Sequence, residues 1–171
     1  LYFVVNDSFY TKAMPKKELP EGVIVGSLKK FAEERPELVA QYYGRLAKSS
    51  EDGITALNTM LAQDGLVVYV PKGAVVDKAV QVINILRSDV DLMVNRRVLI
   101  IVEPRAEIKL LFCDHAADDK RFLTTQVIEA YVADDARLDL YCLEETHAKN
   151  VRVSNVFISQ QANSRVNHNV I

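Results

Sequence analysis

The sequence predicts a mainly β protein built as a parallel β-helix, a solenoid of stacked coils, with a small N-terminal α/β cap of short helices and a hairpin. Three observations predict this fold class. A strand–corner–strand pattern recurs at a spacing of about 30 residues. The second strand of each copy alternates between apolar and polar residues. Helical periodicity, by contrast, is confined to the first 63 residues.

Residues 64–86 mark the change from helical to strand patterning. Leu66–Val70 is an apolar run rich in β-branched residues, the Pro-Lys-Gly sequence at 71–73 is a turn signal, and Val80–Leu86 is a second apolar run. We therefore expect a strand, a corner and a second strand. The same order recurs three times further along the chain.

Aligned copies of this pattern place like residues at matching positions. An offset of 30 residues matches Val102 with Val132 and Ala106 with Ala136, an offset of 28 carries the pattern forward once more, and an offset of 32 carries it back to Val70. A single coil cannot bury its inner face, whereas stacked coils place like side chains over one another. We expect each strand to pair in parallel with its equivalent one coil later.

An antiparallel sandwich also contains many short strands and is the alternative architecture. Its strands would be joined by Asn-Gly or Asp-Gly hairpin turns, and no such dipeptide follows Gly65. The recurring corner therefore favours the solenoid.

The first part of the chain has a different character from the coils. Residues 1–6 are a predicted strand, 7–8 a turn and 9–14 a return strand, which together form a hairpin. Residues 15–22 are polar and contain two prolines, so they are predicted to connect the hairpin to a short strand at 23–25.

Three short helices are predicted next. Ser27 is the expected N-cap of the first, Pro36 suits the first turn of the second, and the third begins near Ser50 and Asp52. Their apolar stripes require cover, and we expect them to pack on the open face of the first coil. Residues 1–63 are therefore assigned to the cap, and residues 64–171 to a solenoid truncated at its C-terminal end.

The third predicted helix carries one apolar stripe. The stripe consists of Ile54, Leu57, Met60 and Leu61. Helical spacing of this kind predicts that the stripe faces the core.

Polar stretches separate the predicted coils. They lie at residues 87–95, 115–121 and 144–149. We interpret all three as loops that connect one coil to the next.

Composition and charge limit the classes of partner. The chain has 171 residues, 49% hydrophobic content and a net charge of -2, which suits one core and argues against a general phosphate-backbone binder. Arg96-Arg97 and Lys29-Lys30 are the main basic pairs. Neither is joined by a longer basic run or by stacking aromatics, so both are predicted to be solvated surface residues and no nucleic-acid partner is expected.

No segment approaches the roughly 18 unbroken apolar residues of a membrane span, and no signal-peptide pattern opens the chain. These features predict a soluble, cytoplasmic protein. The chain begins at Leu1 without methionine and stops at Ile171 within a strand pattern, which predicts a piece of a longer protein. A solenoid cut there would expose strand edges, so we expect marginal stability or self-association, with a homodimer as one form.

Two cysteine–histidine pairs form the strongest metal-site candidate. Cys113 with His115 and Cys142 with His147 are predicted at the same edge of adjacent coils, and these side chains are ligands for zinc, iron or an iron–sulfur cluster. Alternation, however, turns Cys142 inward, where a thiol packs as a small apolar residue. Tightly spaced ligand motifs are absent, so no metal, cofactor or catalytic residue is assigned, and a disulfide stays open.

His168 aligns with inward-facing Leu140, which predicts a hydrogen-bonded core histidine. The chain contains no phosphate-binding loop, no nucleophile elbow and no dinucleotide fingerprint. The sequence therefore predicts a protein that is not an enzyme.

Two acidic pairs leave one enzymatic alternative. They are Asp118-Asp119 and Asp134-Asp135, and they resemble the carboxylates of β-helix enzymes that cleave polysaccharides. Catalytic carboxylates need a defined gap across a bound sugar, whereas neighbouring acids in a corner are usually turn formers. A carbohydrate-active enzyme is thus the second hypothesis.

Four segments carry a resemblance to a known family: LPEGVIVGSL at 19–28, RPELVAQYYGRLA at 35–47, EDGITALNTMLAQDGLVVYVPKGAVVDKAVQVINIL at 51–86, and VADDARLDLYCLEE at 132–145. They resemble the SufD subunits of the SUF iron–sulfur cluster assembly system, within the SufB/SufD family. The resemblance spans essentially the whole chain, and its most specific part is ALNTMLAQDGLVVYVPKGAVVDK.

This resemblance implies a right-handed parallel β-helix that acts as a non-catalytic scaffold. Its expected partners are a SufB-like paralogue and a SufC-like ATPase, and the full complex would hold a nascent cluster transiently. The cysteine, histidine and helical region that the family uses are expected beyond residue 171. No site residue is therefore carried over to this chain.

Overall fold

The chain folds as a two-sheet β-solenoid of about four turns in a computed structural model that describes residues 1–15 and 19–171. The predicted mainly β fold is confirmed. The strands and helices of this described part are β1 (Tyr2–Val5), β2 (Ser8–Phe9), β3 (Ile24–Ser27), α1 (Leu28–Glu34), α2 (Pro36–Tyr42), α3 (Gly53–Leu61), β4 (Leu66–Val70), β5 (Val80–Leu86), β6 (Leu92–Val102), β7 (Glu107–Ala116), β8 (Phe122–Val132), β9 (Arg137–Glu145), β10 (Val151–Gln160) and β11 (Arg165–Val170).

Each coil gives one strand to each of two sheets. Sheet A has the strand order β11-β9-β7-β5-β1-β2, and sheet B has the order β10-β8-β6-β4-β3. Strands of successive coils pair in parallel, and Val102 pairs with both Val70 and Val132 at the predicted offsets. The stacked architecture and its register are confirmed, and the antiparallel sandwich is wrong.

The core lies between the two sheets and is built from stacked columns. Inward residues of neighbouring coils sit over one another because the pairing is parallel and in register. Ile100 lies beside Val68 and Ala130, and Leu110 lies beside Leu140, all of them buried. Burial of these apolar columns is the main driving force for folding.

The corners between the two strands of each coil also repeat the same backbone conformation. The third residue of each four-residue corner has a left-handed backbone, with φ of 73° at Gly73, 59° at Arg105, 58° at Asp135 and 57° at Asn163. Each corner also hydrogen-bonds to the next one, as when the Gly73 N–H donates to the Pro104 carbonyl at 3.0 Å. Glycine adopts this backbone freely, and Asp and Asn tolerate it better than other residues, so Arg105 is the corner residue with the most strain.

We expect Arg105→Gly to stabilise the protein by about 0.5–1 kcal/mol, because relief of left-handed strain exceeds the extra entropy of an unfolded glycine. Urea unfolding followed by circular dichroism measures the change. Lys72→Gly is the matched control at an exposed corner position without positive φ, and it should destabilise. Equal destabilisation by both variants would contradict the strain argument.

The cap closes the first coil with strands rather than helices. Strand β1 pairs with β5 and β3 pairs with β4, so both sheets continue past the first coil. Leu28 and Phe31 of α1 instead pack on Val67, Leu99 and Ile101, on the outer face of sheet B. The expectation that the helices cover the open coil is wrong because β1 and β3 already satisfy its strand edges.

Local signals in the cap were accurate at helix starts and less so at strand ends. Ser27 caps α1 by accepting the Lys30 N–H at 3.1 Å, and Pro36 is the first residue of α2. The return strand of the hairpin is only Ser8–Phe9. Residues 16–18 of the predicted connection lie outside the described residues.

The third helix has the opposite orientation to the prediction. Thr55 and Asn58 of α3 are buried, whereas Met60 is 72% exposed. The Asn58 amide donates to the backbone carbonyls of Arg96 and Thr125 at 3.0 and 3.2 Å. The helix thus turns its polar stripe to sheet B, because the backbone there supplies hydrogen-bond acceptors.

The strand bounds correct all three predicted loops. Strand β6 begins at Leu92, so residues 92–95 of the 87–95 loop are strand. Strand β7 extends to Ala116 and β9 to Glu145, so the first two residues of the 115–121 and 144–149 loops are also strand. The longest helix of the described residues, α3, has nine residues, and none of their helices is long and apolar enough to span a bilayer.

Candidate functional site

The solenoid interior contains a polar section beside its apolar core. Arg96 lies on the inward side of β6, where its Nη1 donates to Asp114 Oδ1 of β7. Arg152 of β10 donates to the other carboxylate oxygen, Oδ2, at 2.6 Å. The Arg96 Nε donates to the Asn6 carbonyl at 2.9 Å, which ties the cap to this section.

The surface assignment of Arg96 and Arg97 is therefore wrong. Arg96 is 3% exposed and Arg97 is 1% exposed. Both guanidinium groups are buried against carboxylates of other strands: Asp114 lies across the interior on β7 of the same coil, and Glu129 lies on β8 of the next coil. The sequence contained one signal, because Arg96 shares its side of the strand with apolar Val98, but only the fold identifies its carboxylate partner.

Burial acts strongly on this polar section. It lowers the pKa of Arg96 from its ordinary value, and the Asp114 carboxylate opposes that shift. Arg96 Nη2 and Thr124 Oγ1 are buried and have no hydrogen-bond partner among the described residues. These two groups are buried polar groups inside the solenoid whose hydrogen bonds are not satisfied by the described residues.

A second buried ion pair lies on the outer face of sheet B. Arg97 Nη2 donates to Glu129 Oε2 at 2.5 Å, and neither side chain is exposed. The same carboxylate accepts the N–H groups of Gly44, Leu46 and Ala47 at 2.9 to 3.0 Å. Glu129 thereby fastens the chain segment after α2 to the solenoid.

A pocket of about 340 Å³ lies at the β10–β11 end of the interior. Cys142, Glu144, Arg152 and His168 supply its chemically active groups, and Cys142 Sγ lies 4.0 Å from His168 Nε2. His168 is in register with Leu140, so its inward alignment is confirmed. Its predicted burial is wrong, because β11 is the edge strand of sheet A.

The Cys142 thiol is held in its neutral form. Burial raises its pKa to about 11, and the smaller opposing effect comes from Arg152. The thiolate is the species that attacks electrophiles and binds metals, so this cysteine is unreactive near neutral pH. Cys142 must therefore lose a proton before it can act as a ligand.

We expect alkylation of Cys142 by iodoacetamide to accelerate about tenfold per pH unit up to at least pH 9.5, without a plateau. Peptide mass spectrometry separates this cysteine from Cys113. Because the folded state raises the pKa of the Cys142 thiol, this group adds stability at pH values below the pKa of the unfolded thiol. That contribution is lost as the pH rises toward 11. A plateau below pH 9 would contradict the burial of Cys142.

The four predicted metal ligands do not meet. Cys142 faces the interior, whereas Cys113 is in register with Leu143 and lies on the opposite face of sheet A. His115 Nδ1 lies 3.3 Å from a Glu145 carboxylate oxygen, and His147 lies against a backbone carbonyl. Both cysteines are free, and the described residues contain no cluster of three or more side chains able to hold a metal.

The acidic pairs serve the corners and loops. Asp134 Oδ1 accepts the Ala162 N–H at 3.0 Å, and Asp118 Oδ2 accepts the Ser88 N–H at 2.9 Å. In both cases the carboxylate bonds to the backbone of a neighbouring coil. This arrangement fits the turn-forming role better than a role in sugar cleavage.

Two family models match the chain. One is described as "SufBD protein N-terminal region" and covers residues 1–82, and the other as "SUF system FeS cluster assembly, SufBD core domain" and covers residues 84–171. The chain belongs to the SufBD family. The resemblance drawn from the sequence is confirmed at this family level, without a distinction between SufB and SufD.

Curated SufBD relatives are similar over much of the chain. "Protein ABCI7, chloroplastic" of Arabidopsis thaliana is 25% identical over 169 residues, which are 94% of this chain and 35% of that protein. "Iron-sulfur cluster assembly SufBD family protein slr0074" of Synechocystis sp. is 29% identical over 136 residues, 78% of this chain and 28% of that protein. "Iron-sulfur cluster assembly SufBD family protein ycf24" of Trieres chinensis is 27% identical over 151 residues, 85% of this chain and 30% of that protein. The chain thus spans about a third of the length of these relatives.

Proposed function

We propose that the chain is part of a SufD-like, non-catalytic scaffold subunit in iron–sulfur cluster assembly. In this role it pairs with a SufB-like subunit and a SufC-like ATPase. The cluster is the cargo of the complex, and the residues that hold it are contributed outside this chain. The SufBD family match over both parts of the chain carries the proposal.

The structure supports a rigid scaffold in physical terms. Both sheets continue in parallel register through successive coils, so each coil supports the next. Two buried ion-pair networks, one centred on Asp114 and one on Glu129, join strands that are distant in sequence. Such a body presents fixed faces and strand edges to partner subunits, and it does not need a mobile active site.

The test uses the full-length protein with an affinity tag, coexpressed with its SufB-like and SufC-like partners and purified without oxygen. We expect both partners to co-purify and the complex to carry iron and acid-labile sulfide. Cys113→Ser combined with Cys142→Ser should leave the iron and sulfide content unchanged. The wild-type complex purified in parallel is the reference.

Two results would overturn this proposal. A folded full-length protein that retains neither partner would remove the scaffold role. Loss of iron and sulfide in the double cysteine variant, with its circular dichroism spectrum unchanged, would place the cluster on this chain. The carbohydrate-enzyme alternative has no supporting observation, because Asp118 and Asp134 bond to the backbone.

A further inference from the structure

The polar section of the interior holds more positive than negative charge. Arg96 and Arg152 both donate to the Asp114 carboxylate, so two guanidinium groups share one buried anion. Glu144 lies 3.8 Å from Arg152, but its side chain is 39% exposed and solvent screens its charge. Asp7, on the partly exposed hairpin turn, raises the pKa of Arg96 less than Asp114 does. Among the described residues, the buried part of the section therefore carries one positive charge in excess.

This excess charge lies between two apolar clusters. Val94 and Phe122 belong to one cluster, Val98 and Phe112 belong to the other, and all four side chains are buried. Arg96 is the inward residue of β6 between Val94 and Val98. A charge in such surroundings is costly unless an opposite charge and hydrogen bonds compensate it.

Two polar groups of the section can each donate one more hydrogen bond. Arg96 Nη2 and Thr124 Oγ1 have no partner among the described residues, and these two residues are 3% and 2% exposed. Thr124 is in register with Arg152 of the next coil. Gln126 is in register with Arg96, but its amide donates to Ser154 at 3.3 Å. The unpartnered donors therefore lie in the part of the interior that holds the excess charge.

We propose that the interior binds one small monovalent anion of the halide class, held by Arg96 Nη2 and Thr124 Oγ1 and by the charge of Arg152. A halide accepts hydrogen bonds from several donors at once. It also supplies the single negative charge that the buried section needs. The inference stands independently of the scaffold role.

Other occupants fit these groups less well. A water molecule would accept the same two hydrogen bonds, but it would leave the charge of the second guanidinium group uncompensated. A phosphate or sulfate ion is larger and carries more than one charge, so it would require a wider cavity than a closely packed interior provides. Size and charge together therefore favour a halide.

Crystals of the full-length protein grown with bromide in place of chloride test the proposal directly. Anomalous diffraction at the bromine absorption edge should show a peak inside the solenoid, within hydrogen-bond distance of Arg96 Nη2 and Thr124 Oγ1. A water molecule there without anomalous signal would overturn the proposal. Bromide found only at exposed basic side chains, as an adventitious ion only, would overturn it as well.

Urea unfolding of the full-length protein at constant ionic strength, with chloride replacing gluconate, gives a second readout in solution. Once chloride exceeds its Kd, the unfolding equilibrium constant should fall about tenfold for each tenfold increase in chloride. Thr124→Val keeps the branched shape but removes the hydroxyl, so it should raise the Kd for chloride at least about tenfold.

Thr11→Val is the matched control for Thr124→Val, because Thr11 is exposed. It should keep the chloride dependence of the wild-type protein. An unfolding constant of the wild-type protein that does not respond to chloride would overturn the proposal. The same chloride dependence in Thr124→Val as in Thr11→Val would do so too.

Discussion

Replacing Glu129 with alanine is expected to lower the free energy of unfolding by about 3–5 kcal/mol. The change leaves the Arg97 guanidinium without its anion in a fully buried position. It also removes the acceptor for the N–H groups of Gly44, Leu46 and Ala47. Among the described residues, Arg97 would retain its contact with the Tyr43 ring, 4.5 Å away, and one threonine hydroxyl.

Urea unfolding followed by circular dichroism measures this loss. Glu33→Ala is the control, because Glu33 is an exposed glutamate of α1, and it should change the unfolding free energy by less than about 0.5 kcal/mol. Glu129→Gln keeps the size of the side chain and one acceptor oxygen. Its loss of unfolding free energy should lie between those of Glu129→Ala and Glu33→Ala. A loss below about 1 kcal/mol for Glu129→Ala would contradict the role of the buried carboxylate.

Asp114→Asn is the second large prediction, with an expected loss of about 3–5 kcal/mol. Asp114 is the carboxylate between Arg96 and Arg152, whose side chains are 3% and 13% exposed. Without it two guanidinium groups remain close together in the interior, and Glu144 is the nearest other anion, 3.8 Å from Arg152. Thermal and urea unfolding both report the change.

Asp119→Asn is the matched control for Asp114→Asn. Asp119 also pairs with a basic side chain, Lys149, but its own side chain is 79% exposed. Exposed pairs contribute about 0–1 kcal/mol, so this variant should be close to wild type. If Asp114→Asn and Asp119→Asn were equally stable, the burial of Asp114 between Arg96 and Arg152 would be contradicted.

Much of the solenoid was predictable because stacking imposes its period on the sequence. Like residues must lie over one another in each column, so Val70, Val102 and Val132 recur at the spacing of one coil. The strands Leu66–Val70 and Val80–Leu86 match their predicted bounds. The starts of α1 and α2 were predicted equally well, because Ser27 and Pro36 act within one helical turn of their own positions.

The wrong predictions share a physical cause. A sequence pattern shows that a strand or helix has two different faces, but it does not show which other element packs against each face. Arg96 and Arg97 look like a surface pair until the fold brings in Asp114 from the opposite sheet and Glu129 from the next coil. Helix α3 has both a polar and an apolar stripe, and periodicity alone cannot decide which one meets the sheet. Backbone acceptors on β6 and β8 favour the polar stripe around Asn58.

The candidate site was only half predictable. Alternation correctly turned Cys142 inward and aligned His168 with Leu140. It could not show that Cys142 and His168 share one pocket with Arg152, because β10 and β11 belong to different sheets. Residues on both sheets become neighbours only through the corner geometry.

Native-state hydrogen exchange of the full-length protein tests most directly whether the cap and the coils form one rigid body. The account predicts that amides of residues 43–47 exchange as slowly as those of β6 and β8, and that Glu129→Ala accelerates the 43–47 amides first. Fast exchange at residues 43–47 in the wild-type protein, or unequal protection of β6 and β8 within the ladder, would contradict it.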